Sequence, residues 1–139
     1  MKLRMMHIIR MMLIGWLLTM MACNKSMVET TVDCPLAPNQ SVLVRKGCEA
    51  YVFALTQKSV DSEAEWTDIF SKKKYQNAIS VLNYCDGSVE SLLLQDLQVG
   101  DKVLMDLTPT QDRCLILCFA FEDAPKFGYN AKNISLCSQ

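Results

Sequence analysis

The cysteines constrain the fold of this chain more than any other feature. Seven occur in 139 residues, and six of them lie beyond Cys23. An even number of cysteines in a short exported chain predicts a disulfide framework, here of three bridges. A thiolate metal cluster is the alternative, but no pair has CxxC spacing and no histidine lies beyond His7 to share the coordination. The six candidates for disulfide bonding are Cys34, Cys48, Cys85, Cys114, Cys118 and Cys137.

The first 22 residues have the pattern of an export signal. Lys2, Arg4 and Arg10 form a positively charged start, an apolar run covers residues 11–21, and a small residue precedes Cys23. This arrangement resembles the signal of bacterial lipoproteins, which implies that Cys23 is acylated with palmitate-type chains. Ordinary secretion and an uncleaved anchor are the alternatives. A spanning helix is disfavoured, because the apolar run is only about a dozen residues long and spanning takes ~20.

The leader divides the chain into three parts. Residues 1–22 are the predicted lipoprotein signal peptide, residues 23–40 a lipidated tether and entry loop, and residues 41–139 a disulfide-stapled β domain. The leader holds three of the 14 basic residues and none of the 15 acidic ones. The mature chain therefore has 11 basic residues against 15 acidic ones and a formal charge of −4. Such a balance does not attract nucleic acid.

Two cysteine-containing segments alternate small and bulky residues, which is the period of a β-strand. Cys48 directly precedes residues 49–56, which predict a strand with Tyr51, Phe53 and Leu55 on its bulky face. Cys48 falls on the opposite, small-residue face. Residues 113–121 predict a second strand, in which Cys114 and Cys118 share the other face. Four strand residues separate Cα atoms by ~13 Å, whereas a disulfide needs about 4.4–6.8 Å. These two cysteines therefore cannot bond to each other, and we expect Cys48 to pair with one of them.

Further strand patterns cover residues 41–45, 78–84, 103–107 and 133–136, and Gly47 permits a turn that makes the first two strands a hairpin. Residues 61–70 predict either a short helix, with Asp61 or Ser62 as its N-cap, or an ordered excursion from the sheet. Residues 91–97 suit a strand or a helix equally. Five to seven short strands with one helix predict a mainly β fold, a small antiparallel barrel or sandwich. The strand count and the V-G-D-K-V turn resemble oligonucleotide/oligosaccharide-binding (OB-like) barrels, including small lipoproteins of that shape.

The mature chain offers little catalytic chemistry. Without histidine it lacks the base of serine-histidine and cysteine-histidine systems and the commonest metal ligand, so we predict no metal and no cofactor. Paired carboxylates can cleave glycosides, and the candidates are Glu63 with Glu65 and Glu122 with Asp123. Both pairs lie in polar stretches that are typical of a solvated surface. We therefore expect a protein that is not an enzyme.

Aromatic residues in predicted loops are the best candidates for binding. Trp66, Phe127 and Tyr129 could stack on a sugar or anchor a protein contact; alternatively, they close the open ends of a small barrel. The run Lys72–Lys73–Lys74 could meet an anionic lipid surface or solvate a loop, and the second interpretation is favoured for so short a run.

These patterns predict a membrane-anchored extracytoplasmic lipoprotein that acts as a non-catalytic binding domain. Its expected partners are the lipid bilayer, through acylated Cys23, and an envelope protein or glycan. The expected location is the periplasmic or cell-surface side of the cell envelope, on the outer membrane of a Gram-negative bacterium. The alternatives are an inhibitor of an extracellular hydrolase, either lysozyme-like or a protease, and a carboxylate-based glycan hydrolase.

Overall fold

The computed structural model describes Cys34, residues 37–113 and residues 123–137. Within these residues the chain forms six strands and one helix. The fold is mainly β with one short helix, which confirms the predicted fold class. In chain order the elements are β1 (Gln40–Lys46), β2 (Tyr51–Leu55), β3 (Glu63–Thr67), β4 (Lys74–Val81), α1 (Val89–Asp96), β5 (Lys102–Pro109) and β6 (Gly128–Leu136).

Five of the strands close into a barrel. Strand β1 pairs antiparallel with β2 and β5, β2 pairs antiparallel with β4, and β5 pairs antiparallel with β6. A parallel pairing between β4 and β6 closes the ring. The remaining strand, β3, stands outside the ring and pairs antiparallel with β4. A closed ring of this size resembles the five-stranded OB barrel, in agreement with the sequence.

The barrel interior takes the bulky side chains that the alternation assigned to one face. Tyr51, Phe53 and Leu55 of β2 lie in the core, and Val103 and Met105 of β5 join them. Burial of each large apolar side chain stabilises the fold by about 1.5–3 kcal/mol. Positions of the other parity point outward, and Val52 accordingly belongs to a second, smaller apolar cluster on the outside of the ring.

The predicted helix over residues 61–70 is wrong, because this segment forms β3 and the turn after it. The carbonyl of Asp61, which would start such a helix, accepts a hydrogen bond from the Tyr129 hydroxyl at 2.7 Å. Glu63 and Glu65 pair across to β4 instead, and Trp66 packs with the outer apolar cluster. Tertiary pairing thus overrides a weak local helix signal.

The segment 91–97, which suited a strand or a helix, forms most of helix α1 and its C-cap, Leu97. The Ser88 hydroxyl caps the helix by accepting a hydrogen bond from the Ser91 amide at 3.1 Å. Leu94 packs into the barrel core. At the other end, the Lys46 ammonium donates to the carbonyls of Gln95 and Leu97 at 2.6 and 3.0 Å, which places a positive charge at the negative end of the helix dipole.

One disulfide ties the entry segment to the last strand. Cys34 and Cys137 are bonded, with Cα atoms 5.3 Å apart. Because the bond closes a loop with a sequence separation of 103 residues, it removes considerable freedom from the unfolded chain. Cys48 and Cys85 are also disulfide-bonded. Residues 114–121 of the predicted strand 113–121, with Cys114 and Cys118, lie outside the described residues, as does the leader with Cys23. The predicted pairing of Cys48 with Cys114 or Cys118 is therefore not tested.

Candidate functional site

A buried arginine fixes the β3–β4 hairpin to the outside of the barrel. The Arg45 guanidinium donates to the Asp68 carboxylate at 3.1 Å and to the backbone carbonyl of Asp123. Its carbon lies 4.9 Å from the Trp66 ring centroid and 5.7 Å from that of Phe70, which is cation–π geometry. We call Arg45, Trp66 and Asp68 the latch, because together they join β1 to the hairpin.

Trp66 is the apolar part of the latch. It is 3% exposed and packs with Val52 and Ala78 of the barrel exterior. Tyr75 stacks on it with ring centroids 6.1 Å apart. The indole Nε1 has no hydrogen-bond acceptor among the described residues. The contacts of the ring that the structure describes are this packing and the guanidinium above it.

Asp68 organises the turn that follows β3. Its carboxylate accepts hydrogen bonds from the amides of Phe70 and Ser71 at 3.4 and 3.0 Å. Burial by itself favours the neutral acid, but the hydrogen bonds from Ser71, Arg45 and Phe70 outweigh it and hold the pKa of Asp68 below its ordinary value. The carboxylate is therefore ionised at neutral pH while it caps the turn.

The turn presents an aromatic ring and lysines to solvent. We call Phe70, Lys72, Lys73 and Lys74 the hairpin tip. Phe70 is 64% exposed, and all three lysines are exposed. Two backbone hydrogen bonds close the loop, from the Lys72 amide to the Asp68 carbonyl at 2.8 Å and from the Asp68 amide to the Lys73 carbonyl at 2.9 Å. The tip is thus a closed loop held at its base by the latch.

A cleft lies beside the β2–β3 and β5–β6 connections. It consists of two neighbouring depressions of about 500 and 440 Å³, which share Asp61, Pro109 and Tyr129. Phe127, 40% exposed, lines the second depression. The remaining lining is mostly polar and offers both donors and acceptors. It comprises Lys58, Ser59, Val60, Thr110, Gln111, Lys126 and Gly128.

The structure separates the three aromatic residues that the sequence grouped as binding candidates. Phe127 and Tyr129 both line the cleft, although Tyr129 is only 3% exposed and lies largely in the core. Trp66 lies in β3 and not in a loop. Burial raises the pKa of Tyr129, and the nearby Asp61 carboxylate adds to this effect, so the hydroxyl stays protonated and donates to the Asp61 carbonyl.

The candidate carboxylates are engaged in surface contacts. The Glu63 carboxylate accepts from the backbone amide of Lys126 at 3.1 Å. Glu65 forms an exposed ion pair with Lys74 at 2.8 Å. Asp123 is exposed, and its backbone carbonyl rather than its carboxylate contacts Arg45. Glu122 lies outside the described residues.

Sequence reasoning did not single out Arg45, Asp68 or Phe70. One local signal was available, because Asp side chains commonly accept hydrogen bonds from the backbone amides that follow them in a turn. No local pattern pairs Arg45 with Asp68, which are 23 residues apart.

The fold and the cysteines define a small disulfide-bonded β-barrel domain. No protein-family model matches the chain, and no curated protein and no solved structure is significantly similar to it. Within the described ranges, no helix has the length and apolar character needed to cross a membrane. The same residues contain no group of three or more His, Cys, Asp or Glu side chains placed to hold a metal ion.

Proposed function

We propose that this protein is a lipid-anchored extracytoplasmic binding domain without catalysis of its own, and that its cleft takes a glycan of the cell envelope. The observation that carries the proposal is the cleft beside Tyr129, which combines an exposed aromatic ring with polar side chains. The acylated Cys23 holds the domain at the membrane, and residues 24–40 provide reach.

The position of the cleft supports a binding role. In OB barrels, the loop between the last two ring strands commonly contacts oligosaccharides or oligonucleotides. The corresponding connection here joins β5 to β6, and Thr110, Gln111, Lys126 and Phe127 from it line the cleft. Because the mature chain is acidic overall, a neutral or weakly charged sugar suits it better than a nucleic acid.

The state of the carboxylates supports a non-catalytic role. A general acid for glycoside cleavage needs a raised pKa, which an apolar setting supplies. Glu63 and Glu65 instead face solvent, and each is held by a donor on the surface. Such contacts are typical of a solvated surface and provide no apolar pocket for proton transfer.

The leader supports the membrane anchor. Its charged start, apolar run and terminal cysteine follow the lipoprotein pattern. The Cys34–Cys137 bond is consistent with an oxidising compartment outside the cytoplasm. Each buried CH₂ of an acyl chain contributes ~0.8 kcal/mol, so attachment through two or more chains is durable.

The test is binding of soluble cell-wall oligosaccharides, measured by titration calorimetry with the purified full-length protein in detergent. We expect Phe127→Ala to weaken binding about tenfold, which corresponds to ~1.4 kcal/mol of lost stacking. Phe70→Ala is the matched control, because it removes an exposed phenyl ring outside the cleft.

Two outcomes would overturn the proposal. Equal oligosaccharide affinities for the Phe127→Ala and Phe70→Ala variants would show that the cleft is not the binding site. Stoichiometric inhibition of lysozyme or of a protease by the same preparation, without oligosaccharide binding, would replace it with the inhibitor hypothesis.

A further inference from the structure

The hairpin tip concentrates positive charge on an otherwise acidic domain. The positive charge of Lys74 is balanced by its ion pair with Glu65, and the negative charge of Asp68 is balanced by Arg45. Neither Lys72 nor Lys73 forms an ion pair with any residue that the structure describes. Within the described part of the chain, the tip therefore has two lysines without an ion pair beside an aromatic ring, whereas the mature chain as a whole has more acidic than basic residues.

The hairpin tip is preorganised by contacts within the protein. The Asp68 carboxylate caps the turn, two backbone hydrogen bonds close it, and Lys72 adopts a left-handed conformation with φ of 59°. The Arg45 guanidinium supports one face of the Phe70 ring. A preorganised loop loses little conformational entropy on docking, so even a small contact area can give measurable binding.

We propose that the hairpin tip docks onto an anionic lipid surface, with the Phe70 ring at the interface and Lys72 and Lys73 over the headgroups. This inference rests on the proposed anchor at Cys23, which keeps the domain within reach of the bilayer. Aromatic rings favour the headgroup level of a membrane, and lysines close to an anionic surface are attracted to it. The negative charge of the remaining domain is repelled and turns the tip toward the lipid.

The anchor at Cys23 explains how so small a tip can dock onto the bilayer. Two lysines and one phenyl ring give weak binding to vesicles from free solution. Once Cys23 is attached to the same bilayer, docking becomes an intramolecular step with a high effective concentration of lipid. The acyl chains determine attachment, and the tip determines the orientation of the barrel over the membrane.

The experiment uses the mature acylated protein, which begins at Cys23, in vesicles of phosphatidylcholine alone or of phosphatidylcholine with phosphatidylglycerol. Phe70→Trp provides a fluorophore at the tip, and the emission of the buried Trp66 in the unaltered protein is subtracted as background. Brominated phosphatidylcholine, which quenches tryptophan on contact, then reports docking. We expect quenching in the anionic vesicles and not in the neutral ones, with a reversal in high salt.

Charge variants measure how much the two lysines contribute to docking. Each lysine near an anionic surface is worth about fivefold in binding, so Lys72→Glu with Lys73→Glu should lower the docking constant by about 25-fold or more. Lys102→Glu with Lys132→Glu changes the net charge equally at exposed positions on β5 and β6 and should leave docking nearly unchanged. In the unaltered protein, trypsin cleavage after Lys72 and Lys73 should be slower on anionic vesicles.

The outcomes separate this inference from the anchor. Flotation with both kinds of vesicle supports the anchor, whereas failure to float with the neutral vesicles refutes the anchor, whatever the quenching shows. Equal quenching in neutral and anionic vesicles, or equal losses in the two pairs of charge variants, would overturn the tip contact. Unchanged trypsin cleavage on anionic lipid would also overturn the lipid contact and would leave a protein as the partner of the tip.

Discussion

The interior of the barrel and the hairpin on its outer face are held together by different interactions. Among the residues that the structure describes, thirteen buried ones form the interior cluster, and each of these is apolar or a tyrosine. The hairpin instead relies on a buried guanidinium, one carboxylate and two aromatic rings. Burial of apolar surface stabilises the barrel. The latch, in contrast, stabilises the hairpin only while every charged partner is present. The comparison implies that the two regions can be weakened separately.

The largest expected effect comes from the barrel. Phe53 is fully buried, and Phe70 is 64% exposed, so the same substitution distinguishes the interior from the tip. We expect Phe53→Ala to lower the free energy of unfolding by about 3–5 kcal/mol and Phe70→Ala by less than about 0.5 kcal/mol. Chemical denaturation monitored by circular dichroism measures both, and similar losses would contradict the assignment of these faces.

The latch should give the next largest effect. Arg45→Ala leaves the Asp68 carboxylate buried without its cation and should cost about 3 kcal/mol, whereas Arg45→Ala combined with Asp68→Ala should cost less than the two single losses added together. Trp66 is the only tryptophan beyond residue 22, so its fluorescence reports the latch directly. Additive losses in the double variant would show that the two side chains do not act as a pair.

The smallest effect is a pH dependence confined to the hairpin. Because the pKa of Asp68 is lower in the folded protein, its contribution is complete above about 3.9, the ordinary unfolded value. The contribution is lost as the pH falls through the folded pKa. We expect the Trp66 emission to change below about pH 4, before the protection of barrel amides against hydrogen exchange is lost. In Asp68→Asn, no such acid step should remain.

The same contrast explains how much could be predicted from the sequence. The alternation in residues 49–56 assigns Phe53 to the interior and Val52 to the exterior, because side-chain direction in a strand repeats every two residues. The turn signal at Gly47 likewise separates the first two strands. Local patterns of this kind were sufficient to predict a small, mainly β fold, but they did not distinguish a barrel from a sandwich.

The latch could not be predicted in this way. Arg45 meets Asp68 only because β3 folds back over the outer face of β1 and β2, and this contact joins residues far apart in the chain. Trp66, Ile69 and Phe70 have helical spacing in the sequence, yet pairing of β3 with β4 prevails. The cleft is equally non-local, because its lining comes from both the β2–β3 and the β5–β6 connections.

The most direct test of the proposed function is the intact mass of the protein purified from its natural membrane, measured before and after reduction. We predict a chain that begins at Cys23, carries the added mass of acyl chains, and gains six hydrogen atoms on reduction as three disulfides open. A mass that corresponds to an uncut leader, no lipid and free thiols would contradict both the anchor and the compartment.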